Sequence, residues 1–92
     1  MANLSLYTDR GIRSVVAKKE LDDMKIVYEE ISTDTDPSAI EFLNSQDRHL
    51  TKVGLPQYFV GDVLAFEGGY AEVHNLSADE INQRVEEINA SN

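Results

Sequence analysis

The chain has no cysteine at all. That excludes a disulfide staple, a thiolate metal site and a cysteine nucleophile, and it leaves the redox compartment unreadable from cysteine usage. Basic residues are scarce, with eight Lys and Arg against seventeen Asp and Glu and a formal net charge of −9. Nucleic-acid binding needs clustered cations to neutralise phosphates, so this balance argues against nucleic-acid and anionic-membrane partners alike. The acidity reads first as a solubility device, and alternatively as a surface that docks a basic partner protein. No stretch approaches the roughly 20 apolar residues of a membrane helix. Met1 to Thr8 lacks the basic start and apolar run of a secretory signal, so the expectation is a soluble, cytoplasmic protein. Neither His49 nor His74 has partners at metal-ligand spacing. Linkers, internal repeats and low-complexity segments are also missing.

What remains is one domain spanning residues 1–92. A chain this short buries only about 60–65% of its unfolded surface, so it depends on a single compact core. Its hydrophobic fraction of 41% is ordinary for such a domain.

Leu4-Ser5-Leu6-Tyr7 alternates and predicts a first strand. Thr8 or Asp9 is expected to cap a following helix whose apolar face is Val15, Val16, Ala17, Leu21 and Met24. Lys25 to Ile31 reads as a second strand. Asp36-Pro37 starts a second helix, because Asp caps free N–H groups while Pro fits the first turn, and Ala39, Ile40 and Leu43 are its expected buried face. Residues 44–53 read as a polar loop or fraying turn. Tyr58-Phe59-Val60 and Val63-Leu64-Ala65-Phe66 flank Gly61-Asp62 as a hairpin. Ser77 with Glu80 forms a capping box for the last helix, with Leu76 stapling onto Ile81 and with Ile81, Val85 and Ile88 as its core stripe. The order β-α-β-α-β-β-α makes the first two strands parallel and the last two antiparallel. It predicts an α/β fold, a mixed four-stranded sheet flanked by helices on both faces, which is the thioredoxin-like arrangement.

Four stretches then resemble the glutaredoxin family, in order and over nearly the whole length. Leu6-Tyr7-Thr8 is similar to the first strand and its exit. Ser14-Val15-Val16-Ala17-Lys18 resembles Cys-x-x-Ala-Lys, whose Cys closes the Cys-x-x-Cys motif. Leu55-Pro56-Gln57-Tyr58-Phe59-Val60-Gly61 resembles the segment bearing the family's cis proline. Gly68-Gly69-Tyr70-Ala71-Glu72-Val73 resembles the Gly-Gly turn after the hairpin. The resemblance implies a redox-inactive relative, since Gly11-Ile12-Arg13-Ser14 stands where the dithiol would be and serine cannot replace a thiolate. The loop before Gly11 is also one residue short, and residues 65–67 are extra.

By the same resemblance, Pro56 is cis and Leu55 offers its backbone N–H and C=O to an extended peptide, a pairing that needs no sulfur. The plainer reading is that Pro56 ends a loop before an edge strand. Gly69, Tyr70 and Glu72 match part of the family's glutathione site, although Ala71 replaces a polar residue and the basic residue before the dithiol has no match. A Gly-Gly turn of purely structural use is the preferred reading of them. The implied groove is Gly11, Ile12, Arg13, Ser14, Leu55, Pro56, Gly69, Tyr70 and Glu72. The first expectation is a peptide or partner protein in that groove, with no catalytic residue and no cofactor. The alternatives are non-catalytic binding of glutathione or another small anion, and a structural or assembly subunit.

Two further readings concern the same helix start. Ser14 would be an activated hydroxyl if His49 or His74 reached it, and otherwise a capping residue. Arg10 and Arg13 would reinforce an anion site at the helix N-terminus, or else simply balance surface acid. Among the aromatic residues, mostly core by pattern, Tyr70 is the one expected at the groove.

Overall fold

The alternation in Leu4–Thr8 gives one strand two buried faces, and that decides the architecture. In the computed structural model, which describes residues 2–45 and 54–91, β1 spans Leu4–Thr8. Leu4 and Leu6 lie in one hydrophobic cluster and Tyr7 in another, because successive side chains leave a strand on opposite sides. Such a strand belongs inside a sheet covered on both faces. The sheet order is β2-β1-β3-β4, with β2 at Tyr28–Ser32, β3 at Gln57–Val60 and β4 at Val63–Leu64. β1 runs parallel to β2, from Leu4 opposite Tyr28 to Thr8 opposite Ser32. It runs antiparallel to β3, with Leu4 opposite Val60 and Tyr7 opposite Gln57. β3 and β4 pair antiparallel, Phe59 with Leu64 and Val60 with Val63.

The helices are α1 (Ile12–Asp23), α2 (Pro37–Ser45), α3 (Tyr70–Val73) and α4 (Ala78–Ala90). Ala17 and Leu21 of α1, Val73 of α3 and Ile81 and Ile88 of α4 pack with Leu4, Leu6, Tyr58 and Val60. Ala39 and Leu43 of α2 pack with Tyr7 and Phe59 on the other face. There Tyr7 stacks on Phe42 at 5.2 Å, and Phe59 meets both rings edge-on at 5.3 and 5.2 Å. The mixed sheet, its strand directions and the helices on both faces therefore follow the pattern read from the sequence.

Several element details differ from expectation. α3 is an additional helix, a single turn too short to show periodicity. β4 ends at Leu64, although the Ala65 N–H still donates to the Tyr58 carbonyl at 2.9 Å. Ile40 is 41% exposed, leaving Ala39 and Leu43 as the buried face of α2. The capping box holds: Glu80 N–H donates to Ser77 Oγ at 3.2 Å and Ser77 N–H to Glu80 Oε1 at 3.0 Å. Asp36 likewise accepts the Ser38 N–H at 3.1 Å. Leu76 and Val85 pack against the cluster that holds Ile81 and Ile88.

β2 begins at Tyr28 rather than at Lys25, because residues 24–26 are spent ending α1. Lys25 N–H donates to the Asp22 carbonyl at 3.0 Å and Ile26 N–H to the Leu21 carbonyl at 3.0 Å, with Lys25 in the left-handed region at φ 57. This is a Schellman closure whose usual glycine position holds a lysine, and Leu21 and Ile26 supply its apolar contact. A side chain at left-handed φ costs roughly 1–2 kcal/mol, part of which glycine gives back through a freer unfolded chain. Lys25→Gly should therefore raise stability by about 0.5–1 kcal/mol in urea unfolding, and Lys25→Val should lower it.

Three tyrosines tie stability to alkaline pH. Burial pushes the Tyr58 hydroxyl well above its ordinary range, with Glu20 and Tyr70 adding repulsion. Tyr28 is pushed up to about 12, by burial first and then by its hydrogen bond to Asp22. Tyr7 is raised by burial, with Glu29 and Asp36 contributing. Each folded pKa exceeds the unfolded value of about 10, so the folded state holds these protons more tightly. The stability they contribute is complete below that value and is lost as pH rises through the folded pKa values. Tyrosinate absorbance of these three residues should lag behind that of a free tyrosine and rise together with loss of far-UV helix signal. Full titration near pH 10 with the fold intact would contradict this.

Candidate functional site

Strand register brings three distant stretches to one end of the sheet. Tyr7 lies opposite Gln57 in an antiparallel pair, so the chain leaving β1 at Thr8 runs beside the chain approaching β3. Residues 9–14 and Leu55-Pro56 thus share an end. β4 runs back along β3, and the bond from Ala65 N–H to Tyr58 O carries the chain toward that same end before Gly68-Gly69-Tyr70. Around it, Glu30 Oε2 accepts from Thr8 Oγ1 at 3.0 Å and meets Lys18 Nζ at 3.1 Å, which ties the β1 exit to α1 and β2.

The helix start is a closed hydrogen-bond circuit. Asp9 Oδ1 accepts the Gly11 N–H at 2.8 Å and the Ser14 hydroxyl at 3.0 Å, while Ser14 Oγ accepts the Asp9 N–H at 3.1 Å. The N-cap of α1 is Gly11, with no side-chain cap of its own, rather than Thr8 or Asp9. Asp9 acts two residues earlier, as an Asx turn onto Gly11, and the Asp-x-Gly spacing is the sequence signal for it. Ser14 is completely buried, and its hydroxyl both donates and accepts within this circuit. An external anion at the helix start would compete with the carboxylate of Asp9 already there.

Burying Ser14 changes which side chains of the first turn of α1 face inward. Its inward residues are Ser14, Ala17 and Leu21, while Ile12 is 79% and Val15 56% exposed. Val15 therefore lies outside the apolar face on which hydropathy spacing put it. Arg13 is also exposed and makes no ion pair among the described residues. Arg10 has only a 3.5 Å contact with Asp34 and an 89% exposed side chain, a pairing worth little in water.

Leu55 is half-buried against the second cluster, and Pro56 is fully buried. The bond between them is cis. β3, which follows, lies between β1 and β4, so Pro56 precedes an interior strand and not an edge strand. Gln57 Nε2 donates to the Gly54 carbonyl at 3.2 Å, while its buried Oε1 has no hydrogen-bond partner among the described residues.

At the glycine pair, Gly69 adopts φ 61 and ψ −137, a conformation open to glycine and closed to most residues. Its N–H donates to the Phe66 carbonyl at 3.1 Å. The Gly68 N–H donates to Glu72 Oε1 at 2.9 Å, and a Cβ on Gly68 would come within 2.8 Å of the Glu72 Cβ. Glu72 is thus the brace of its own turn. Tyr70 is half-buried and stacks on His74 with ring centroids 5.2 Å apart. His74 is not isolated, as its sequence context suggested. Its Nδ1 lies 2.8 Å from Glu20 Oε2 and 3.4 Å from the Tyr70 hydroxyl, so it links α3 to α1. That link joins residues 54 positions apart, and no local signal announces it.

These contacts leave no Ser14–histidine pair among the described residues, since the Ser14 hydroxyl goes to Asp9 and the His74 ring to Glu20 and Tyr70. His49 lies outside the described residues. Among those described, no group of three His, Asp or Glu side chains could hold a metal ion, and no helix is long and apolar enough to cross a membrane. No protein-family model matches the chain, and no curated protein matches it.

Proposed function

We propose that the chain is a thioredoxin-like domain of glutaredoxin type that has lost dithiol chemistry and binds an extended peptide segment of a partner protein. The observation that carries this is the convergence of Gly11–Ser14, Leu55-Pro56 and Gly69-Tyr70 at one end of the sheet. The sheet order β2-β1-β3-β4 with a parallel first pair supports the fold assignment. The half-buried Leu55 supports the binding mode, because its backbone N–H and C=O enter no hydrogen bond among the described residues. An incoming strand would pair with those two groups, and its side chain would lie against Leu55 and the face of Tyr70.

Binding of glutathione by the same end is the weaker reading. The Gly69 N–H and the Glu72 carboxylate, on which it would depend, are both engaged within the turn. Selection from a random-peptide display library, followed by affinity measurement on individual peptides, tests the proposal. Leu55→Asp should weaken the selected peptides about 10-fold or more, since it puts an unpaired charge into a half-buried contact. Tyr70→Ala should weaken them less. Peptides unaffected by Leu55→Asp, or calorimetric saturation with glutathione instead, would overturn it.

A further inference from the structure

The first two turns of α1 are chemically unlike the rest of this acidic protein. Residues 10–19 hold Arg10, Arg13, Lys18 and Lys19, half of all the basic residues, and no acidic one, in a chain of net charge −9. Lys18 is committed to Glu30, whereas Arg13 and Lys19 are exposed and make no ion pair among the described residues. On the same part of the helix Ile12 and Val15 stand exposed. Seven residues place Lys19 within about 20° of Ile12 around the helix, and three place Val15 about 60° away. Ile12, Val15 and Lys19 therefore share one strip that starts at the Gly11–Ser14 loop, and Arg13 stands on its flank about 100° around the helix from Ile12.

Among the described residues, nothing packs on this strip. Ala17 and Leu21 already pack α1 onto the sheet, and its helix start is closed by Asp9. Two branched apolar side chains held in water beside unpaired cations match a ligand of the opposite pattern, an apolar residue flanked by carboxylates. We propose that the partner segment is acidic, with one or two bulky apolar residues seated on Ile12 and Val15 and with its carboxylates against Arg13 and Lys19. This rests on the peptide-binding reading and names the chemistry of its ligand. In a protein of net charge −9, exposed cations beside apolar side chains attract such a segment where an acidic surface repels it.

The test uses two blocked synthetic peptides, Glu-Asp-Leu-Leu-Asp-Glu and its amide isostere Gln-Asn-Leu-Leu-Asn-Gln, titrated into the ¹⁵N-labelled chain. The acidic peptide should saturate with amide shifts along residues 10–19, and the isostere should bind about 10-fold more weakly or not at all. Affinity should fall several-fold between about 0.05 and 0.5 M NaCl, as expected for exposed charges. Arg13→Glu and Lys19→Glu should each weaken binding and Ile12→Asp should remove it. All three sites are exposed, and unchanged far-UV spectra establish that the fold persists. Equal affinity for the two peptides, no binding of either, or binding indifferent to Lys19→Glu overturns the inference. So does preferential binding to phosphatidylserine vesicles, or self-association that Ile12→Asp abolishes. Library peptides sensitive to Leu55→Asp but indifferent to Lys19→Glu would leave the peptide-binding reading standing while this one falls.

Discussion

Phe59→Ala lowers unfolding free energy by about 3–5 kcal/mol, the largest single effect expected in this chain. Phe59 is fully buried on the central strand β3 and meets two rings edge-on, Tyr7 and Phe42. Removing it leaves a void between β1, β3 and α2 that the stiff strands cannot collapse to fill. It also deletes two edge-to-face contacts, each worth roughly 0.5–1.5 kcal/mol beyond area burial. Against a total stability of about 5–15 kcal/mol for such domains, this brings the protein close to unfolding at ordinary temperature. Urea unfolding followed by far-UV circular dichroism measures it. A loss under about 1 kcal/mol would mean that the α2 face is not the packed layer described.

Ser14→Ala is the second large effect, about 2 kcal/mol, and its origin is polar. The substitution removes a donor to Asp9 Oδ1 and an acceptor for the Asp9 N–H at a completely buried position. Alanine fills nearly the same space, so lost packing contributes little and the unpaired Asp9 N–H most. Asp9→Ala should cost a similar amount, because it releases the Gly11 N–H as well. The double variant should lose much less than both single losses combined, with a coupling of about 1–2 kcal/mol between residues that share one circuit. Strict additivity would show that Asp9 and Ser14 act independently.

The same circuit makes the loop poorly suited to carrying a thiol introduced by simple substitution. A Cβ at Gly11 would lie 2.9 Å from Asp9 Oδ1, so a side chain there displaces the carboxylate that organises the turn. A sulfur at position 14 would sit fully buried in place of a hydroxyl that both donates and accepts. The stretch is a self-satisfied cap.

Much of the fold was legible because alternation and capping are local. Leu4–Thr8 shows its two faces in five residues, and Ser77 with Glu80 marks the start of α4 within one turn. Hydropathy failed at the start of α1, where it put Val15 inward and gave Ser14 no inward role. The reversal is physical: a small side chain fits where α1 meets the β1 exit, and Asp9 meets the polar demand of Ser14 locally. Lys25 was illegible for a related reason, since a lysine gives no hint that it will occupy the left-handed position of a helix closure. The candidate site divides the same way. Pro56 and the glycine pair stand out in sequence, whereas the bond from His74 to Glu20 exists only once α3 has packed on α1.

The central claim, that the end of the sheet at Leu55 is a peptide-binding face, is tested most directly by amide shift mapping. A peptide from the display selection is titrated into the ¹⁵N-labelled protein. Shifts concentrated at Gly11–Ser14, Leu55 and Gly69-Tyr70, and absent from Leu55→Asp, are the expected result. Shifts confined to α4 or to the exposed edge of β2, with Leu55 unmoved, would contradict it.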